Sequence, residues 1–259
     1  GSGVAAHALV GLIEDLKPLV VGKDPEAVEK LYFDMYRTLR QAPGGLTQMG
    51  IAGIELACWD IKGKAMGVPV NNLLGGPYRD KQRVYWSHLA SARANRPELA
   101  PDKPLRDWDA VAAAAQEAPA RGYDAFKTNI LWPGDPPRGI TQGRDGLNHD
   151  QRADTELVRH VEKQVSVMRE AVGPDVDILL DINYHFKTEG AIRIARALEP
   201  YGLFWIEHDN EDPEALAQLK ASTTTMLCSG EQHFTMREYL PYFELRAMDT
   251  VMVDVQWQG

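Results

Sequence analysis

Four stretches decide how this chain folds: Val176-Asp177-Ile178-Leu179-Leu180-Asp181, Gly202-Leu203-Phe204-Trp205-Ile206-Glu207, Met226-Leu227-Cys228-Ser229-Gly230-Glu231 and Thr250-Val251-Met252-Val253-Asp254. Each is a short apolar run closed by a carboxylate. The acids lie 26, 24 and 23 residues apart, a spacing that fits one strand plus one helix. Helical patterns fill the intervals at 189–198, 213–220 and 235–243, and alternation of this kind means βαβ units around a parallel sheet. Acids at equivalent positions of successive units converge at one end of a closed barrel, the C-terminal face where barrel enzymes keep their chemistry. Any one of them can instead cap the helix that follows it, but four in register weaken that reading. A doubly wound open sheet is the rival architecture. It usually carries a glycine-rich phosphate loop after its first strand, and none follows the apolar run at 83–87. The expected fold is therefore α/β, a (β/α) TIM-type barrel.

Upstream, the runs 83–87 and 125–130 add two earlier strands, for six in all, with helices expected over 108–120 and 155–172. The first third reads as helices. Val28, Leu31, Tyr32, Met35 and Leu39 mark one amphipathic helix after the Gly22-Lys23-Asp24-Pro25 start signal. A second runs from about Thr47 to Met66, with Ile51, Ile54, Cys58, Ile61 and Ala65 on one stripe and Gly67 past its end. The breakers at 69–77 end the pattern. Residues 1–79 are expected to form a partial, mostly helical capping domain, and residues 80–259 the barrel domain carrying the metal site.

Composition narrows the function classes. Of 259 residues, 44% are hydrophobic and 25% charged, ordinary for a soluble globular protein. The formal charge of −9 argues against nucleic-acid binding, since nothing here would neutralise a phosphate backbone. No stretch approaches the roughly 18 consecutive apolar residues of a membrane span. Cys58 and Cys228 sit inside apolar runs, which points to reduced core filler and a cytoplasmic protein.

Asp181, Glu207 and Glu231 on adjacent strand ends make an oxygen-rich, triply negative site of the kind a hard dication occupies. Magnesium needs no cysteine or histidine and completes its octahedron with water and substrate oxygens. Asp254 is expected beside these ligands or one shell out. One strand earlier, Lys127 and Asn129 lie two residues apart and so point to the same face. If that face is the interior, Lys127 holds a substrate carboxylate, acts as a base, or forms an ion pair with one of the acids. Asn183 and His185 keep the parity of Asp181 and face the site if that strand stays extended. The expected catalytic residues are Lys127, Asn129, His185 and Asp254; Asn183, His88 and His233 are the substrate-binding candidates.

These residues resemble the mandelate racemase/muconate lactonizing enzyme branch of the enolase superfamily. The long match is Gly53-Ile-Glu-Leu-Ala-Cys-Trp59-Asp60-Ile-Lys62-Gly63-Lys64, followed by Gly67-Val-Pro69-Val and Leu73-Leu-Gly75-Gly76. It is similar to the family's helix joining an N-terminal α+β capping domain to the barrel. The Asp181, Glu207, Glu231 ladder resembles the magnesium triad at the ends of the third, fourth and fifth strands. Phe126-Lys127-Thr128-Asn129 is similar to the second-strand segment of sugar-acid dehydratases of the galactonate type. Three places depart from the family pattern: Asn129 where many members carry a second lysine, Asn183 where several dehydratases carry histidine, and His208-Asp209 where relatives have Glu-Pro. The resemblance also implies a β-meander before this chain and two more strands after it, the seventh bearing a histidine paired with Asp254. The sequence is accordingly expected to be part of a longer protein.

The implied chemistry is Mg2+-dependent removal of the proton beside a carboxylate. With no lysine at 129, dehydration of a sugar acid to a 2-keto-3-deoxy acid ranks first, because one histidine can serve as base and then as acid. A racemase, epimerase or cycloisomerase ranks second. A metal-binding barrel with a binding or regulatory role is the alternative from another class. The loops at 89–106 and 131–150, with Arg138, Arg144, Asn148 and His149, suggest a polar lid or oligomer contacts, and a homo-oligomer acting on a small carboxylate is expected, without nucleic acid or membrane.

Overall fold

A computed structural model describes residues 6–39, 44–142 and 152–258. The chain forms two compact units. One contains the described residues up to Gln82 together with Glu231–Leu240 and those from Val253 onward; the other contains Arg83–Gly230 and Pro241–Met252.

The first unit is built on three helices, α1 (Ala6–Val20), α2 (Val28–Thr38) and α3 (Gly45–Met66). Leu16, Met35 and Ile51 meet in one small core, and Val28, Leu31 and Cys58 in another. The α2 stripe follows from its spacing, but the α3 stripe does not run its full expected length. Ile61 is 46% exposed, and Ala65 is exposed as well. Gly63 takes the buried position instead, because the chain doubles back there: a Cβ on Gly63 would lie 3.0 Å from the Val68 carbonyl oxygen. Gly67 ends the helix in the left-handed conformation (φ 68°), its N–H reaching the Gly63 and Lys64 carbonyls. Helix α1 has no counterpart among the helices read from sequence.

In the second unit five strands form a parallel sheet in sequence order: β1 (Ala125–Asn129), β2 (Asp177–Asp181), β3 (Trp205–Glu207), β4 (Leu227–Ser229) and β5 (Thr250–Val251). Helices Trp108–Ala120, Thr155–Val172, Thr188–Leu198 and Pro213–Ala221 alternate with them. The run at 83–87 joins this sheet through a single bridge, Trp86 to Phe126, rather than a full ladder. The period of two then sorts the strand residues. Phe126, Ile178, Leu180, Ile206 and Leu227 enter the large core with the helices. Ala125, Leu179, Trp205 and Cys228 line the opposite face. Lys127, Asn129, Asp181 and Glu207 share the parity of that second face. The loop after β1 is not bare chain: Leu131–Trp132 pairs with Arg138–Gly139 in a short hairpin. Arg138 lies in that hairpin, whereas Arg144, Asn148 and His149 lie outside the described residues. No helix among the described residues is long and apolar enough to cross a membrane.

The helices also show which acids are caps. Asp107, Asp154 and Asp212 accept hydrogen bonds from Ala110, Leu157 and Ala215 N–H groups at 2.9, 2.8 and 3.0 Å. Asp254 does the same kind of work. The β5 ladder ends at Val251, and Asp254 accepts from the Gln256 N–H at 3.3 Å at the start of the four-residue helix Val255–Gln258. The strand-end position expected for Asp254 is therefore a helix start instead. Asp181 and Glu207 belong to neither group.

Candidate active site

Register brings the second unit's polar residues onto one level. Asn129 pairs with Asp181 across β1 and β2, and Asp181 with Glu207 across β2 and β3. Their side chains then meet at the C-terminal edge of the sheet, almost fully withdrawn from water: Lys127 is 5%, Asn129 4%, Asp181 2% and Glu207 0% exposed. Burial at this depth is affordable only with partners. The Lys127 ammonium donates to Glu207 Oε2 at 2.7 Å and lies 3.8 Å from Asp181 Oδ2. Asn129 Nδ2 donates to Asp181 Oδ2 at 2.9 Å. The Asn183 N–H donates to the other carboxylate oxygen, Asp181 Oδ1, at 2.7 Å.

Fully ionised, two buried carboxylates and one ammonium would leave a negative charge unbalanced, and the titration behaviour follows from that. Burial would lower the Lys127 pKa, but Glu207 and Asp181 outweigh it and hold the ammonium above the ordinary lysine value. Burial and the charge of Asp181 push the Glu207 carboxyl up to about 8, against the pull of Lys127. Lys127 is thus a fixed positive charge rather than a ready base. The second oxygen of Glu207, Oε1, is buried with no hydrogen-bond partner. A buried, partnerless carboxylate oxygen beside surplus negative charge fits a hard cation.

Asp209 is the acid that sequence reasoning did not assign. It is 7% exposed, and one of its carboxylate oxygens lies within 4.8 Å of one from Glu207. Two positions beyond Glu207 it keeps the same parity, and that was the signal available. His208 between them is buried, with Nδ1 2.6 Å from the Asn183 carbonyl oxygen, so Nδ1 is the donor and the partnerless Nε2 keeps its lone pair.

The other expected residues fall in different places. Asn183 has φ 52°, so the strand does not stay extended beyond Asp181. Its side chain nevertheless reaches the cluster, with Nδ2 3.3 Å from Asp181 Oδ2. The turn carries His185 onto an open cleft of about 440 Å3 shared with Lys187, Asn210 and Asp212. Burial lowers the His185 pKa, and its Nε2 is buried without a hydrogen-bond partner. His88 joins the cluster through Asn129, at 2.9 Å. Glu231 lies two residues beyond β4, and His233 is buried edge-on to Tyr239 at 5.3 Å; both are in the segment belonging to the first unit.

Comparison with known proteins places these residues in context. A model of the enolase C-terminal domain-like family matches residues 110–259, and one of the mandelate racemase/muconate lactonizing enzyme N-terminal domain matches residues 1–75. The D-gluconate dehydratase of Thermoproteus tenax is 28% identical over 95% of this chain and 45% of its own length. A D-galactonate dehydratase of Xanthomonas campestris pv. campestris is 31% identical over 90% of this chain and 54% of its own. Among solved structures, a Burkholderia xenovorans strain LB400 protein assigned as an L-alanine-DL-glutamate epimerase, bound to magnesium and fumarate, superposes with a TM-score of 0.90 at 35% identity. That match covers 97% of this chain and 63% of the other. The chain spans about half the length of the curated relatives it matches.

Proposed function

Because this chain belongs to the mandelate racemase/muconate lactonizing enzyme branch of the enolase superfamily, with its N-terminal cap and TIM-type barrel, we propose that it carries the proton-abstraction site of a sugar-acid dehydratase. The observation that carries the reading is the buried Lys127–Glu207–Asp181 cluster with its unbalanced negative charge. The relatives named for gluconate, galactonate and xylonate dehydration support it.

Asp181 and Glu207 would hold Mg2+, with Asp209 near and Glu231 as the third ligand proposed from the sequence register. A dication held there supplies the positive charge that makes a proton beside a carboxylate acidic enough to remove. Lys127, kept protonated by its neighbours, attracts the substrate carboxylate and the charge that grows on it as the C2 proton leaves. The Asn183 N–H and the Asn129 amide hold the Asp181 carboxylate in one orientation. His185 is the proton acceptor: burial keeps its imidazole neutral at ordinary pH. Once C2 has lost its proton, the C3 hydroxyl departs as water with a proton from an acid of the site. The resulting enol takes a proton at C3 as its C2 hydroxyl gives one up, and becomes the 2-keto-3-deoxy acid.

The test is a panel of five- and six-carbon sugar acids incubated with the full-length protein and Mg2+, with semicarbazide trapping any keto acid formed. At least one acid should yield a 2-keto-3-deoxy product carrying deuterium at C3 when the reaction is run in deuterated water. Exchange and inversion at C2, with no keto acid from any substrate, would move the assignment to an epimerase. That second reading is favoured by the epimerase assignment of the Burkholderia relative.

A further inference from the structure

The side-chain amide of Asn129 makes five hydrogen bonds while the residue is 4% exposed, and their chemistry fixes which end of the amide is which. One end faces the Asp181 carboxylate at 2.9 Å, the Asp181 backbone carbonyl at 3.4 Å and the side-chain Oδ1 of Asn183 at 3.3 Å. A carboxylate only accepts, so that end is the NH2. The other end is then the carbonyl, and it receives the Ser91 hydroxyl and His88 Nδ1, each at 2.9 Å. A carbonyl oxygen cannot donate, so His88 Nδ1 carries the hydrogen. In a neutral imidazole Nε2 is then a bare lone pair. That nitrogen has no protein hydrogen bond among the described residues, and the ring is exposed.

The backbone holds the ring there under strain. His88 has φ 54° and Ala90 φ 63°, both in the left-handed region that costs a residue with a side chain. Bonds from Leu89 N–H to the Lys127 carbonyl and from Ser91 N–H to the Leu89 carbonyl pin this turn against β1. Two strained residues flank a segment whose histidine and serine both serve one buried amide.

We propose that His88 is an acid/base residue of this site and that Asn129 is its positioning residue, transmitting the fixed orientation of the Asp181 carboxylate into a single imidazole tautomer. The inference rests on the dehydratase reading for its reaction. Nε2 of His88 either takes the C2 proton or, once protonated, returns one to the departing C3 hydroxyl, so that a second histidine shares with His185 a cycle otherwise served by one. Protons balance within the reaction: the one gained from C2 leaves with the water.

Two measurements on the full-length protein test this separately. Ring 1H–15N correlation spectra should show one histidine as the Nδ1–H tautomer whose signals vanish in His88→Gln, and that ring should change to the Nε2–H form or a mixture in Asn129→Leu. With a sugar acid found to be dehydrated, His88→Gln should lower kcat by more than ~100-fold, the scale of a general acid or base, with KM changed less than threefold. Ser91→Ala, a milder change at the same carbonyl, should lower it only severalfold. An Nε2–H ring in the wild type, or a His88→Gln enzyme within about fivefold of wild-type kcat, overturns the inference while leaving dehydration intact. If no sugar acid is dehydrated, the dehydratase reading falls, and the tautomer alone then decides the positioning claim.

Discussion

Lys127→Met removes the ammonium that, among the described residues, faces two carboxylates at 0% and 2% exposure, and the structure fixes what should follow. Breaking a buried pair by deleting one partner costs about 3–5 kcal/mol, because the surviving charge is stranded. Here the cost depends on pH. The Glu207 carboxyl, already pushed up to about 8, moves higher without Lys127. The unfolded chain releases that proton near the ordinary glutamate value and the folded chain keeps it. Stability linked to Glu207 is therefore fully present at acid pH and lost as pH rises toward its folded value. In chelator-treated protein, urea unfolding followed by tryptophan fluorescence should show a loss of about 3–5 kcal/mol for Lys127→Met at pH 9, and a clearly smaller loss at pH 6, where Glu207 carries a proton. Excess Mg2+ at pH 9 should recover part of the difference by supplying the missing positive charge. Equal losses at both pH values, or none at pH 9, would refute the charge-balance reasoning.

Other outcomes follow from single contacts. Burial raises the pKa of both thiols, so Cys58 and Cys228 should stay unreactive toward Ellman's reagent in the folded protein and both react in 6 M guanidinium (about a complete unfolding condition). Asp212→Ala should cost about 1 kcal/mol by stripping the cap from helix Pro213–Ala221, and Asp212→Asn should cost less than half of that. Because burial lowers the His185 pKa, its contribution to stability is present above the ordinary histidine value and lost as pH falls below it. His185→Leu should therefore lose less stability than wild type between pH 7 and pH 5, as read from urea midpoints.

Much of this architecture was legible because periodicity and punctuation agree. Helices at Trp108–Ala120 and Thr155–Val172 and the strand Asp177–Asp181 fall where the pattern places them. Asp181 and Glu207 stood out as candidate site residues because the strand parity that buries Leu179 and Trp205 also sets their side chains on that face. The same logic failed at Asp254, where a strand-closing acid and a helix-capping acid look alike in sequence and the ladder stops three residues earlier. Ile61 and Ala65 misled because a tight return of the chain gives Gly63 the buried place. His88 and Ser91 were invisible as partners of Asn129: their meeting depends on a left-handed turn that no side-chain period encodes. Asp209 needed only the parity of Glu207 carried two residues further.

Whether the acidic strand ends act as a cation site is tested directly by Mg2+ binding, measured by calorimetry on the full-length protein. The wild type should bind one Mg2+ per chain, and Glu207→Gln, which keeps the shape of the side chain that bonds Lys127 but removes its charge, should weaken binding by more than ~10-fold. An unchanged affinity in Glu207→Gln would contradict the assignment of this cluster to the metal.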